Sequence, residues 1–258
     1  MLKRAATALL ASSVAFASGI AAQQKPQSTV LPVLTVRKSA DGRPEVLAAP
    51  SRAPVKIDGL LDDEVWAQAQ VFGGFTQSEP LEGQPASYAT EVRVAYDAEN
   101  LYVAAYCRDG GQRVVNDIRK DFRPDDQDTF ELILDTFADR RNGYAFITNP
   151  EGARTDQQIA NEGREVNASW DAIWSVKTAR VPDGWTVEMA IPFRSLRFAP
   201  GATTWGINFS RRLRSARACS WTRYCSSIRA RSSSTPMCGS TSSTTHSATS
   251  ISSTMRRA

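Results

Sequence analysis

From about Val55 the chain runs in short stretches that alternate apolar and polar residues with a period of two, separated by turn residues, which is the pattern of antiparallel strands. The clearest pair spans Thr90 to Arg108. Val92, Val94 and Tyr96 alternate with Glu91, Arg93 and Ala95, Asp97-Ala98-Glu99-Asn100 supplies a turn, and Leu101, Val103, Ala105 and Cys107 alternate with Tyr102, Ala104 and Tyr106. A third strand is predicted over Thr129 to Asp135, with Phe130, Leu132 and Leu134 on one side and Glu131, Ile133 and Asp135 on the other. A fourth covers Tyr144 to Thr148 and ends at the turn Asn149-Pro150-Glu151-Gly152. Trp170, Ala172, Trp174 and Val176 share a face of a further run to Thr178. Beyond Pro182-Asp183-Gly184 come Trp185, Val187, Met189 and Ile191, and Trp205, Ile207 and Phe209 close the series. Short helices fit only Leu61 to Ala69 and Phe193 to Phe198. The fold class is all-β, an antiparallel β-sandwich over residues 53–212.

Charge changes the picture once it is located. The 258 residues carry a formal charge of +4. Residues 213–258 hold 7 Arg, no Lys and no acidic residue, which leaves 24 basic and 27 acidic side chains in residues 1–212. The body is slightly acidic, so a nucleic-acid partner is not expected, because the folded part must present the cationic groove. Only Cys107 lies in the body, so no disulfide framework closes there, and the single histidine, His246, lies in the tail. Histidine-based acid catalysis, Ser-His-Asp triads and zinc chemistry therefore have no histidine in the body.

The N-terminus reads as a signal peptide over residues 1–22: cationic Lys3 and Arg4, an apolar stretch from Ala5 to about Phe16, and small residues up to Ala21 and Ala22. Its Ala-rich, Ser-interrupted character suits a cleaved segment better than an anchor, and no other apolar run approaches 18 residues. An exported protein is expected, periplasmic, outer-membrane associated or extracellular, with no integral membrane segment in the mature chain. Residues 23–52 are polar and Pro-bearing around the apolar Val30 to Val36 and read as a linker with one strand. Residues 213–258 hold 14 Ser, 7 Thr and 7 Arg with no periodic apolar pattern. Two readings of this tail compete, a basic low-complexity segment and a shifted reading frame. The one-signed charge favours the frame shift, which would cost the sandwich its last strands and leave a sheet edge open.

Four blocks carry a resemblance: Ile57-Asp58-Gly59-Leu60-Leu61-Asp62-Asp63-Glu64-Val65-Trp66, then Thr90 to Asp97 with Asn100-Leu101-Tyr102-Val103, then Asp128-Thr129-Phe130-Glu131-Leu132-Ile133-Leu134-Asp135, and Gly184-Trp185-Thr186-Val187-Glu188-Met189-Ala190-Ile191-Pro192-Phe193. In this order they resemble the carbohydrate-binding family 9-like domains found at the N-terminus of large exported bacterial proteins. The resemblance implies a jelly-roll-like sandwich that binds a poly- or oligosaccharide as an accessory to polysaccharide breakdown, and no cofactor is expected. It also implies longer relatives that continue into an outer-membrane β domain. Such domains clamp a sugar ring between two Trp side chains. The stretch matching the first clamp, Arg123-Pro124-Asp125-Asp126-Gln127, has no aromatic residue, and the second clamp falls beyond Arg212, where the pattern is lost. Glu131 matches the family's ligand-contacting glutamate.

The carbohydrate-binding candidates are Glu131, Asp128, Asn149, Trp170 and Trp174, since a sugar presents an apolar face to aromatic rings and hydroxyls to charged or amide groups. Each has a structural counterpart. Trp66 and one of Trp170 and Trp174 suit the core. Asn149 and Asp156 flank the Asn-Pro-Glu-Gly turn and serve equally as capping residues. Asp125, Asp126 and Asp128 read as a solvated acidic loop rather than a Ca²⁺ site. Two other chemistries are open to test. A glycoside hydrolase needs two carboxylates about 5 to 10 Å apart. Asp128 and Glu131 fall on opposite faces of a strand, and Glu131 and Asp135 lie about 13 Å apart along it. Haem binding would have only Met189 or a Lys as axial ligand, and Met189 alternates in phase with Val187 and Ile191 as a core residue does.

Overall fold

A computed structural model describes residues 37–38, 44–214, 218–221 and 226–230. The signal segment, most of the linker and most of the tail lie outside the described residues. The strands are β1 (Arg37–Lys38), β2 (Pro44–Pro50), β3 (Thr76–Glu79), β4 (Thr90–Tyr96), β5 (Asn100–Arg108), β6 (Thr129–Asp135), β7 (Gly143–Thr148), β8 (Arg154–Ala160), β9 (Glu165–Asn167), β10 (Ser175–Val181), β11 (Gly184–Pro192), β12 (Thr204–Leu213), β13 (Ala218–Trp221) and β14 (Ser226–Ala230), with one helix, α1 (Glu64–Gln68). They pair in the order β10-β11-β5-β4-β2-β14-β12-β6-β7-β8-β9. The pairing is antiparallel except where β2 joins β14 and β4. Two sheets result, β10-β11-β5-β4 and β14-β12-β6-β7-β8-β9, and β2 is shared between them.

The two sheets face each other across the inward residues of the predicted alternation. Val92, Val94, Val103, Ala105, Trp185, Val187, Met189 and Ile191 on one sheet and Phe130, Leu132, Leu134, Phe146, Ile207 and Phe209 on the other are all at most 1% exposed. Each Val, Leu, Ile, Phe or Met among them contributes about 1.5 to 3 kcal/mol of burial. Register keeps them together: Val92 opposes Ala105, Met189 opposes Val103, and Phe209 opposes Leu132. Met189 sits inside this core.

Two devices cover part of the outer faces. Helix α1 and the residue that follows it lay Val65, Trp66 and Ala69 on Ala95, Tyr102 and Ala104 of the first sheet. A strap of residues 109–128, between β5 and β6, crosses the second sheet and seats Phe122, 3% exposed, among Ile133, Ala145, Ile147, Ala153 and Ile159. Two stretches of the serine-rich tail also carry strands. β13 pairs with β12 and β3, and β14 pairs with β12 and β2, so the second sheet continues past Arg212. The physical reason is that ladder bonds use backbone groups, which a polar sequence offers as well as an apolar one.

The run from Trp170 is extended, but ladder pairing begins only at Ser175. Around Phe193 to Phe198 only a single 3-10 turn forms, Phe193–Ser195. Among the described residues no helix is long and apolar enough to cross a membrane, and no group of three or more His, Cys, Asp or Glu side chains is placed to hold a metal ion.

Candidate functional site

Strand β6 turns Phe130, Leu132 and Leu134 inward, so Glu131 projects from the outer face of the second sheet, where it is half-buried. Directly across from it are Ser210 on β12 and Ile147 on β7. Two residues further along β12, Arg212 opposes Thr129, which makes it a diagonal neighbour of Glu131. Arg212 Nη2 lies 3.2 Å from Asp125 Oδ1, with Asp125 carried on the 3-10 turn Pro124–Asp126 just before β6. On β13, Cys219 opposes Arg212, half-buried, and its backbone carbonyl accepts a bond from the Ser78 hydroxyl at 3.3 Å. Glu131 thus sits in a polar cluster on the outer face of the second sheet, assembled from β3, β6, β12, β13 and the end of the strap, in which Ser210 is 4% exposed while Asp125 and Arg212 reach the surface. Burial pushes its carboxyl up to about 7, against the Arg212 charge and the Ser210 hydroxyl, which favour the ionised form.

The other four candidates lie in different surroundings. Asp128 is 1% exposed, and both its oxygens accept backbone N–H groups: Oδ2 from Val114 at 3.1 Å and Oδ1 from Arg214 at 2.5 Å. Asn149 is fully buried. Its Nδ2 donates to the Asp117 carbonyl at 2.7 Å and to Gln127 Oε1 at 3.0 Å, while its Oδ1 accepts from the N–H groups of Glu151 and Ala153. Asp128 and Asn149 therefore pin the strap whose end carries Asp125 to Glu131. Trp174 is in the core, 2% exposed, with Nε1 donating to Asp156 Oδ1 at 3.0 Å. Trp170 is half-buried at the core's rim, its ring 4.8 Å from Tyr144 and 6.0 Å from Phe146. These two tryptophans accompany β10 and do not join the Glu131 patch.

Arg212, Ser210 and Cys219 were not singled out by sequence. Alternation held the signal for the first two: with Trp205, Ile207 and Phe209 inward, Asn208, Ser210 and Arg212 must point outward. A cavity of about 610 Å³ lies elsewhere, between β2 and α1, lined among others by Ala49, Pro50, Arg52, Val55, Glu64 and Gln68. Its acidic groups are engaged locally, Asp63 with the Lys56 N–H and Glu64 with the Gln68 amide.

A β-sandwich with a polar patch on one outer face is the class that these observations define. Residues 57–212, more than half of the chain, match the family described as carbohydrate family 9 binding domain-like, and the chain belongs to that family. Among solved structures it is similar to a family 9 carbohydrate binding module from Caldicellulosiruptor kristjanssonii in complex with cellotriose, with 20% identity, a TM-score of 0.54, and coverage of 76% of this chain and 100% of that one. The same module in complex with glucose gives 19% identity, a TM-score of 0.52 and coverage of 75% and 98%. A candidate carbohydrate-binding protein from Bacteroides uniformis gives 11% identity, a TM-score of 0.56 and coverage of 72% and 99%. Comparison with the curated proteins finds none that matches the chain.

Proposed function

We propose that this chain is an exported glycan-binding domain, accessory to polysaccharide breakdown, that takes a poly- or oligosaccharide on the outer face around Glu131. The observation that carries the reading is the half-buried Glu131 carboxyl, facing outward beside Ser210 and Arg212 in a chain of the carbohydrate family 9 binding domain-like family. The partly exposed carboxyl and guanidinium supply acceptors and donors in the mixture that sugar hydroxyls need, with the buried Ser210 hydroxyl behind them. The cellotriose and glucose complexes of the similar module support a glucose-based ligand. Asp128 and Asn149 serve the site indirectly by fixing the strap, and Trp170 and Trp174 by packing the end of the sandwich. The cationic and apolar N-terminal residues, followed by Ala21 and Ala22, support export.

Calorimetric titration of the full chain with cellotriose and glucose tests the reading. Binding is expected for the native protein. In Glu131→Ala the affinity is expected to fall by about 10- to 100-fold, the effect of losing hydrogen bonds to a charged or strongly polar group. Equal affinity in the two proteins contradicts the assignment.

A further inference from the structure

Among the described side chains, few groups face Glu131 from the neighbouring elements. Strand β12 contributes Ser210 and Arg212, β13 contributes Cys219, β7 contributes Ile147, and the turn ahead of β6 contributes Asp125. Arg212 is the cation of this set, and its guanidinium is engaged by Asp125, which is 71% exposed. Among the described residues Glu131 forms no ion pair of its own. Burial raises the Cys219 thiol, so it adds no charge near neutral pH.

We propose that the Asp125–Arg212 ion pair is a positioning device for the glycan site: by drawing the guanidinium away from Glu131 it leaves a carboxyl that meets the sugar as a neutral hydrogen-bond donor, so that glycan capture weakens as this carboxyl ionises. The inference rests on the glycan reading given above and adds to it a role for two residues and a pH dependence.

The chemistry follows from what each form of the carboxyl offers. The neutral acid presents one O–H donor and an acceptor, and vicinal sugar hydroxyls match that pair. The carboxylate only accepts. A bound sugar also strips the remaining water from the half-buried group, which costs little for the acid and much for an unpaired carboxylate. Burial, which pushes the Glu131 carboxyl up to about 7, acts on a group that has no ion pair to hold it ionised. The Asp125–Arg212 contact is surface-exposed, and such pairs contribute little to folding. Asp125→Asn therefore leaves the sandwich intact while releasing Arg212 toward its diagonal neighbour. Glu131 then gains a direct cation and ionises at lower pH.

The experiment is calorimetry with cellotriose on the full chain from about pH 5.5 to about pH 8.5, for the native protein, Glu131→Gln and Asp125→Asn. In parallel, carbon-detected NMR follows the Glu131 carboxyl without sugar. The native affinity is expected to fall about 10-fold across the range. Glu131→Gln, permanently neutral, is expected to bind with a nearly flat profile. Asp125→Asn is expected to move both the affinity midpoint and the carboxyl titration about one pH unit toward acid. A flat native profile, a native slope retained in Glu131→Gln, or an unmoved midpoint in Asp125→Asn overturns the proposal. If cellotriose binds at no pH, the glycan reading fails and the proposal with it. The sugar-free titration separates that failure from absence of the ion-pair effect.

Discussion

Gly184→Ala is expected to destabilise the protein by about 3 kcal/mol or more, enough to leave a marginal fold largely open. Gly184 begins β11 opposite Arg108, where the two strands come close enough that a Cβ would stand 2.1 Å from the Cys107 carbonyl oxygen and 2.9 Å from Arg108 Cα. These are backbone atoms in a fully paired central strand, so no rotamer change relieves the clash and the ladder itself must move. The Gly184 carbonyl also accepts a bond from the Arg113 guanidinium, which closes the start of the strap. Gly201→Asn is the contrasting case. Its φ of +74° suits asparagine, and a Cβ there meets nothing within 4 Å. Urea unfolding is expected to show a large loss of midpoint for Gly184→Ala and a change within about 0.5 kcal/mol for Gly201→Asn. Equal midpoints for Gly184→Ala and the native protein contradict the packing described here.

Glu188→Ala carries the second large effect. Glu188 is fully buried on the outer face of the first sheet. Oε1 accepts from Trp66 Nε1 at 2.7 Å, and Oε2 accepts from the N–H groups of Gly59 at 2.8 Å and Asp58 at 3.0 Å. Burial pushes its carboxyl up, while these three donors pull it down. Alanine would leave three buried or partly buried donors without an acceptor, at a cost of about 3 to 5 kcal/mol. For a protein of this size that corresponds to roughly 8 to 15 °C in Tm. Glu188→Gln, which keeps one acceptor oxygen, should lie between the two, and Trp66 fluorescence should report the broken bond. A Tm within 2 °C of native for Glu188→Ala would show that the network holds nothing.

The fold is more legible in the sequence than the site. The period-two alternation of β4, β5, β6, β11 and β12 identified their inward faces, because one buried face forces that pattern. Strand β8 carries no such alternation: Asp156 points inward at 1% exposure, and the Ala172 N–H and Trp174 Nε1 that satisfy it lie 16 and 18 residues away. No local pattern announces such a partner. Arg211 is similar, a cation buried at 1% exposure whose Nη1 donates to Thr90 Oγ1 at 3.1 Å across the sandwich. The strands of the tail depend on backbone pairing with β12, which leaves no trace in side-chain periodicity.

The blocks that carried the family resemblance turn out largely to be fasteners. Asp58, Gly59 and Trp66 meet Glu188, and Asp128 ties Val114 to Arg214. Glu131 came from the resemblance, whereas its neighbours Ser210, Arg212 and Cys219 are brought to it by sheet register, which needs the three-dimensional pairing of β6, β12 and β13.

Backbone amide NMR of the full chain during titration with cellotriose tests the central claim most directly. Shifts centred on Glu131, Ser210, Arg212 and Asp125, fading toward the start of the strap, are the predicted result. Shifts centred on the cavity between β2 and α1, around Ala49, Arg52 and Gln68, with the Glu131 patch unmoved, would contradict it.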